Sequence, residues 1–306
     1  MALFPIRLLP EETKINFLGS RWVAFSFSAI CILLTVFLLV TRGLNFGIDF
    51  TGGILIDAKF QQEVELTKMR NLLKEADIGD VSLQTFGSAD NILIRIGQQS
   101  GGENERLLAV NKTKEILANN FAGKIDYRKV DYVGPKVGGE LIQSGILSLV
   151  LAFGAIMLYV WFRFEWQYGA GAIFALIHDS FLMVGFFSFT QLEFNLSSIA
   201  AILTIIGYSI NDSVVVFDRI RENTRKFKKM PIIELLNTSI NNNLSRTLLT
   251  SITTMVALLA LVFLGGEVIK SFSMAALFGV IVGTYSSIYI ASPVLIYFNL
   301  RSENNV

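Results

Sequence analysis

The chain has 306 residues, 52% of them apolar and only 17% charged, against the roughly 25% usual for soluble domains. Its 26 basic and 25 acidic residues leave a net charge of +1, no field for nucleic acid, and 25 of these charges crowd into residues 43–139. One cysteine, Cys31, excludes an internal disulfide, and one histidine, His178, excludes a His-rich metal site. The composition describes an α-helical multi-span membrane protein with one soluble domain.

A spanning helix needs about 20 mostly apolar residues, because the hydrocarbon core is about 30 Å thick and a helix rises about 1.5 Å per residue. After a cytoplasmic segment, residues 1–21, the first candidate span is residues 22–40, uncharged and bracketed by Arg21 and Arg42. Its length, and the lack of a small-x-small site after it, speak against a cleaved signal peptide.

Residues 43–139 follow, 97 in all, enough for one small core. The pattern predicts strands at 54–60, 81–86, 91–96 and 124–133, and helices at 63–76 and 103–119, the second after Gly101-Gly102. The two middle strands are joined by Gly87-Ser88-Ala89-Asp90. This β-α-β-β-α-β order is that of a ferredoxin-like α+β unit, which by itself carries no function. It shows no nucleophile–base pair, metal cluster or phosphate loop, and no Gly-x-x-x-x-Gly-Lys-Ser/Thr occurs in the chain. The expectation is a binding or mechanical element, with no enzyme activity, no cofactor and no metal.

Five further spans are predicted within residues 141–298: 141–162, 168–189, 196–217, 247–264 and 273–298, making six in all. Span three carries His178 and Asp179 near its middle, and span four carries Asp212 near its end. A basic cytoplasmic loop, 218–246, is expected to follow, with Arg219, Arg221, Arg225, Lys226, Lys228 and Lys229. It reads as a topology determinant meeting anionic lipid headgroups. Within it Pro231 opens an amphipathic run, Ile232, Ile233, Leu235, Leu236 and Ile240, expected to lie along the membrane surface. Arg246 begins span five, and Thr250, Thr253 and Thr254 give that helix a polar stripe. Span six carries Ala275, Gly279, Gly283, Ser287 and Ala291 every fourth residue, a pattern for close helix packing.

Lysine and arginine fall before span one, between spans two and three (Arg163), after span four, and in the tail 299–306 (Arg301). The opposite loops hold only Lys270, so both termini are expected in the cytoplasm and residues 43–139 outside.

Charge at membrane depth is costly and needs a reason. Asp212 and Arg246, at comparable depth on neighbouring antiparallel helices, read either as a structural or snorkelling pair, or as a proton site. A carboxylate whose guanidinium partner moves in and out of range would switch protonation state. His178 and Asp179 read equally as a satisfied polar pair or a relay, Asp179 being the stronger candidate.

Phe46-Gly47-Ile48-Asp49-Phe50-Thr51-Gly52-Gly53 after span one, and the run from Gly207-Tyr208-Ser209-Ile210-Asn211-Asp212-Ser213 to Arg221-Glu222-Asn223 at the end of span four, resemble the SecF family. SecF is the smaller subunit of the bacterial SecD–SecF protein-export complex and is related to RND transporters. The resemblance covers the whole chain. It implies a bacterial inner-membrane protein that pairs obligately with SecD beside the SecYEG channel, with YajC as a further candidate partner. It also implies use of the proton-motive force to assist late preprotein translocation. The proton-passage residues it implies fall on Asp212 and Arg246, with Asp179, His178 and Thr250 as weaker candidates. Gly47, Asp49, Gly52 and Gly53 fall in the structural motif, read as a turn and strand entry with backbone freedom at the glycines. Two rival readings remain: an RND-type proton-coupled exporter of small molecules or lipids, for which one small outer domain is meagre, and a non-transporting translocon scaffold.

Overall fold

The computed structural model describes residues 13–300 except 77, 100, 101, 122, 266 and 299. The expectations for residues 1–12, Gly101, Arg301 and nearly all of the tail lie outside the described residues. The chain divides into two compact units: residues 46–147 with 194–196, and the remainder.

The first unit begins with a single helical turn, α2 (Ile48–Thr51), then β1 (Gly53–Lys59), α3 (Leu66–Glu75), β2 (Val81–Phe86), β3 (Ser88–Ile96), α4 (Gly102–Asn120) and β4 (Asp126–Val133). The strands form one antiparallel sheet in the order β2-β3-β1-β4. Strand alternation puts Ile54, Ile56 and Ala58 of β1 and Ile92, Ile94 and Ile96 of β3 on one face. There they pack with Met69 and Leu73 of α3 and Ala109 and Leu117 of α4. A smaller cluster of Ile48, Leu55 and Leu93 occupies the other face. The β2–β3 connection is tighter than the four-residue turn expected. Phe86 pairs with Ser88, Gly87 alone turns the chain at φ 78°, and the register slips between Thr85 and Phe86.

The second unit supplies the apolar helices. α1 (Arg21–Thr41), α6 (Trp166–Thr190), α7 (Leu196–Lys226), α8 (Ile232–Leu264) and α9 (Glu267–Ser286) join α5 (Pro135–Arg163) to give six helices long and apolar enough to cross a membrane. α9 continues through a π turn, Ser287–Ala291. Packing follows the small residues. A Cβ on Gly185 of α6 would meet Thr35 of α1 at 2.2 Å, and one on Gly279 of α9 would meet Ile205 of α7 at 2.5 Å. Gly283 faces Ser209 in the same way, at 3.2 Å. The four-residue spacing read as a packing face therefore is one.

Two expectations change. The basic stretch 218–246 is mostly helix: α7 runs on to Lys226 and α8 begins at Ile232. Nor does the amphipathic run form a separate surface helix. No glycine or proline interrupts residues 232–264, so α8 is continuous over 33 residues. Leu235, Leu236, Ile240 and Leu244 bury their face against Phe217 and Ile220 of α7 and Phe17 and Leu18 of the entering chain. The same helix holds that entering chain by two asparagines. Asn241 accepts from the Ile15 N–H at 2.9 Å and donates to the Ile15 carbonyl at 2.9 Å, and Asn237 accepts from the Leu18 N–H at 3.0 Å. A protein partner was available for the apolar face, and it replaces lipid.

Two outcomes are expected. Gly279→Leu should lower stability by about 1–3 kcal/mol through overpacking. Ile205→Ala in the same chain should recover part of that loss, read as coupling in a double-mutant cycle of thermal unfolding in detergent. The second concerns Asp57 on β1, buried at 5% exposure. Burial pushes its carboxyl above the usual range, and the nearby Arg128 and Lys129 only partly offset this. A carboxyl with a raised folded-state pKa costs no stability below its unfolded value and the full penalty above its folded one. Asp57→Asn should therefore strengthen amide protection across β1 at neutral pH. The gain should vanish as pH falls to the ordinary carboxylate range.

Candidate functional site

α7 is helical because Ile202, Ile205, Ile206, Val216, Phe217 and Ile220 recur at the spacing of one buried face. Ser209, Asp212 and Ser213 interrupt that face and are buried with it. Asp212, 7% exposed, accepts from Thr247 of α8 at its Oδ1 (2.8 Å) and from Ser287, the first residue of the π turn, at its Oδ2. A second string of hydroxyls lies beside it. The Tyr208 hydroxyl donates to Ser251 at 3.2 Å, and Ser251 bonds Thr284 at 2.7 Å. The Asn243 amide of α8 donates to the Val215 carbonyl of α7 at 3.1 Å, fixing the two helices in register.

The expected Asp212–Arg246 ion pair does not form, although the guanidinium stays within electrostatic reach of the carboxylate. Arg246 is exposed and makes no ion pair with Asp212. The reason is angular. Successive helix residues lie about 100° apart, and α8 turns Thr247 inward, which leaves Arg246 facing out. Thr250 is exposed too, its hydroxyl returned to the Arg246 and Thr247 carbonyls at 3.0 and 2.9 Å. Thr253 and Thr254 likewise satisfy themselves on their own helix. The polar stripe is therefore closed on itself and not directed at Asp212. Sequence reasoning missed Thr247 and Ser287. Thr247 was visible as the neighbour of Arg246, and Ser287 was already singled out, but as a small packing residue and not as a donor.

Asp179 of α6 is fully buried and His178 is 6% exposed. Asp179 Oδ1 lies 2.9 Å from His178 Nδ1, and Oδ2 accepts from Ser209 of α7 and from Ser286 of α9, the latter at 2.6 Å. His178 Nε2 is 3.1 Å from Ser28 of α1. So the structure keeps His178 and Asp179 together and gives every polar atom of the pair a partner. Two adjacent serines of α9, Ser286 and Ser287, thus serve two different carboxylates, at the point where the helix widens into its π turn. Such turns recur at functional sites. Among the described residues, no group of three or more His, Cys, Asp or Glu side chains is placed to hold a metal.

The glycine-rich motif has a different task. Phe46, Phe50 and Phe194 pack their rings at 5.9–6.1 Å, and Gly47 donates to the Phe194 carbonyl at 2.9 Å. The Asp49 carboxylate accepts from the Leu196 N–H at 3.0 Å, an unpaired donor at the head of a helix. Gly52 and Gly53 turn into β1 at φ 69° and 113°, and a Cβ on Gly53 would lie 2.4 Å from the Ile96 carbonyl oxygen. The glycines are there because no side chain fits.

With this geometry in place, comparison with known proteins is direct. The family described as "Protein export membrane protein SecD/SecF, C-terminal" matches residues 112–301, and the "SecD/SecF GG Motif" matches residues 37–64. The chain belongs to the SecD/SecF family. The "Protein translocase subunit SecF" of Rickettsia bellii (strain OSU 85-389) is 50% identical over 298 residues, covering 97% of this chain and 98% of the relative. That of Rickettsia prowazekii (strain Madrid E) is 48% identical over 304 residues, covering 99% and 97%. Among solved structures, a translocon-associated SecDF of Thermus thermophilus superposes with a TM-score of 0.86 at 36% identity. A SecDF in a super-membrane-facing form gives 0.69, also at 36% identity. Each match covers 97% of this chain, which spans 40% of the length of each SecDF chain. Its six apolar helices and its family make this a multi-pass inner-membrane protein.

Removing one donor to the buried carboxylate tests the assembly around Asp212. Thr247→Val keeps the shape but strips Oδ1 of its hydrogen bond and should cost about 1.5–3 kcal/mol, while Thr247→Ser should keep most of the stability. Thermal unfolding of the purified protein in detergent reads both.

Proposed function

We propose that this chain is the SecF half of a proton-driven SecD–SecF machine assisting late preprotein export through SecYEG, with Asp212 as its proton-accepting group. The single observation that supports this most is a carboxylate buried in an apolar bundle and held by one hydroxyl from each of two other helices. In the ionised state Asp212 needs both donors. Once protonated, it carries a hydrogen of its own, and its hold on Thr247 of α8 and Ser287 of α9 weakens. Arg246 sits one residue before Thr247 on a long flexible stem. In this reading rotation of α8 brings the guanidinium to Asp212 in place of the hydroxyl, which favours release of the proton.

The energy scale fits. Each elementary charge moved across the membrane is worth about 2.3 kcal/mol per 100 mV, so a few protons drive a rearrangement of several kcal/mol. Two SecDF structures, one of them described as a super-membrane-facing form, match this chain at TM-scores of 0.86 and 0.69, and that difference supports a moving assembly. The topology proposed with it has both termini in the cytoplasm and residues 43–139 in the periplasm. SecD is the obligate partner, and the 40% span of the SecDF chain is consistent with one half of a larger whole.

Asp212→Asn should abolish the proton-gradient-dependent part of late export in membrane vesicles while the subunit still co-purifies with SecD. Thr250→Ala, outside the site, should export at the wild-type rate. Wild-type export by an assembled Asp212→Asn complex would overturn the proposal. Depletion that raised drug sensitivity with no precursor accumulation would favour an exporter instead.

A further inference from the structure

We propose that His178 and Asp179 together bind one exchangeable proton, separate from that of Asp212, and that the Tyr285 hydroxyl reads its presence. The inference goes beyond the reading given for Asp212 and does not depend on it.

It comes from counting hydrogens along one chain of bonds. Tyr285 of α9 lies 2.8 Å from the Ala24 carbonyl of α1, and a carbonyl can only accept, so the phenol hydrogen is committed there. The Tyr285 and Ser28 oxygens are 3.0 Å apart, so the hydrogen between them must come from Ser28. Ser28 then has none left for His178, 3.1 Å away, and Nε2 of the imidazole must be the donor. Nδ1 lies 2.9 Å from Asp179 Oδ1, and one hydrogen must lie between them. Asp179 Oδ2 accepts from Ser209 and from Ser286, whose oxygen lies closer to Oδ2, at 2.6 Å, than to the Gly283 carbonyl, at 3.1 Å, so an acid hydrogen would sit on Oδ1, facing Nδ1. Whether the pair is written as imidazolium and carboxylate, or as imidazole and carboxylic acid, it holds two hydrogens and no net charge. That count suits its surroundings. Asp179 is fully buried, and His178 is its one ion-pair partner among the described residues.

Loss of one proton to water forces the bonds from Nε2 outward, through Ser28 to Tyr285, to turn round. The ionised Asp179 keeps the Nδ1 hydrogen, bare Nε2 accepts from Ser28, Ser28 accepts from Tyr285, and the phenol leaves the Ala24 carbonyl. Four hydrogens become three and the pair carries one negative charge. Other titratable groups nearby are Cys31 of α1 and Tyr289 of α9, both beside Tyr285, and Asp212 of α7, one turn beyond Ser209. Nδ1 and Oδ1 of the pair engage each other, Nε2 meets Ser28, and Oδ2 meets Ser209 and Ser286. Charge state on α6 is thereby tied to a contact between α9 and α1.

His178 is the one histidine of the chain, so selective 15N-histidine labelling of the full-length protein, carried on a histidine-free tag in lipid nanodiscs, reports this residue alone. At neutral pH the Nε2 signal should be that of a protonated nitrogen; a bare Nε2 with the hydrogen on Nδ1 alone would overturn the proposal. Tyr285→Phe frees the Ser28 hydrogen and should shift Nε2 toward the bare state at the same pH. An unchanged spectrum would remove Tyr285 as the reader. Asp212→Asn should leave the His178 signals in place, and their displacement would mean that the two carboxylates share one proton. The wild-type spectrum decides the central count even where a variant fails to fold.

Discussion

Two carboxylates are buried among the described residues of the apolar helical unit, and hydroxyls hold them. Asp212 is met by Thr247 and Ser287, and Asp179 by Ser209 and Ser286 with His178 at its side. A guanidinium at either place would fix the charge by a strong, directional pair whose breaking leaves an uncompensated ion. Hydroxyls satisfy lone pairs more gently, and they serve both the ionised and the neutral acid because they can donate or accept. A bundle organised this way can hold a carboxyl in either state with nearly the same backbone. That property suits a site meant to exchange protons better than one meant only to lock helices together.

The helices that carry these groups are brought close by residues chosen for what they lack. Gly279 and Gly283 let α9 approach Ile205 and Ser209 of α7, and Gly185 lets α6 approach Thr35 of α1. Without those approaches Ser287 could not reach Asp212, nor Ser28 reach His178, because both are short side chains. The small-residue face and the polar contacts are therefore one design seen at two scales: backbone proximity first, hydroxyl chemistry second. The sheet-containing unit shows the same economy in the Gly52-Gly53 turn, where the lack of a side chain lets β1 start directly against β3.

Much of this was readable from residues alone, and the reasons for the rest are specific. The number of apolar helices follows from apolar length, and the order of strands and helices in residues 43–139 follows from period and punctuation. The burial of Asp212 and Asp179 followed from their place within apolar runs. What a helix does about its own axis is not carried by a run. Arg246 and Thr247 differ by one position and about 100°, and only packing decides which faces the carboxylate. Likewise, Leu235, Leu236 and Ile240 are an apolar face in either setting, and whether lipid or Phe217 covers it is a tertiary choice. Ser287 was legible as small and also as polar. The four-residue spacing emphasised the first property.

The adjacency of Ser286 and Ser287 carries one more consequence. Consecutive residues on a helix move together, yet these two point to carboxylates on different neighbours, α6 and α7. One short segment at the head of the turn Ser287–Ala291 is thereby riveted to two neighbours at once, so none of the three helices can be withdrawn without stripping a hydroxyl from a buried acid.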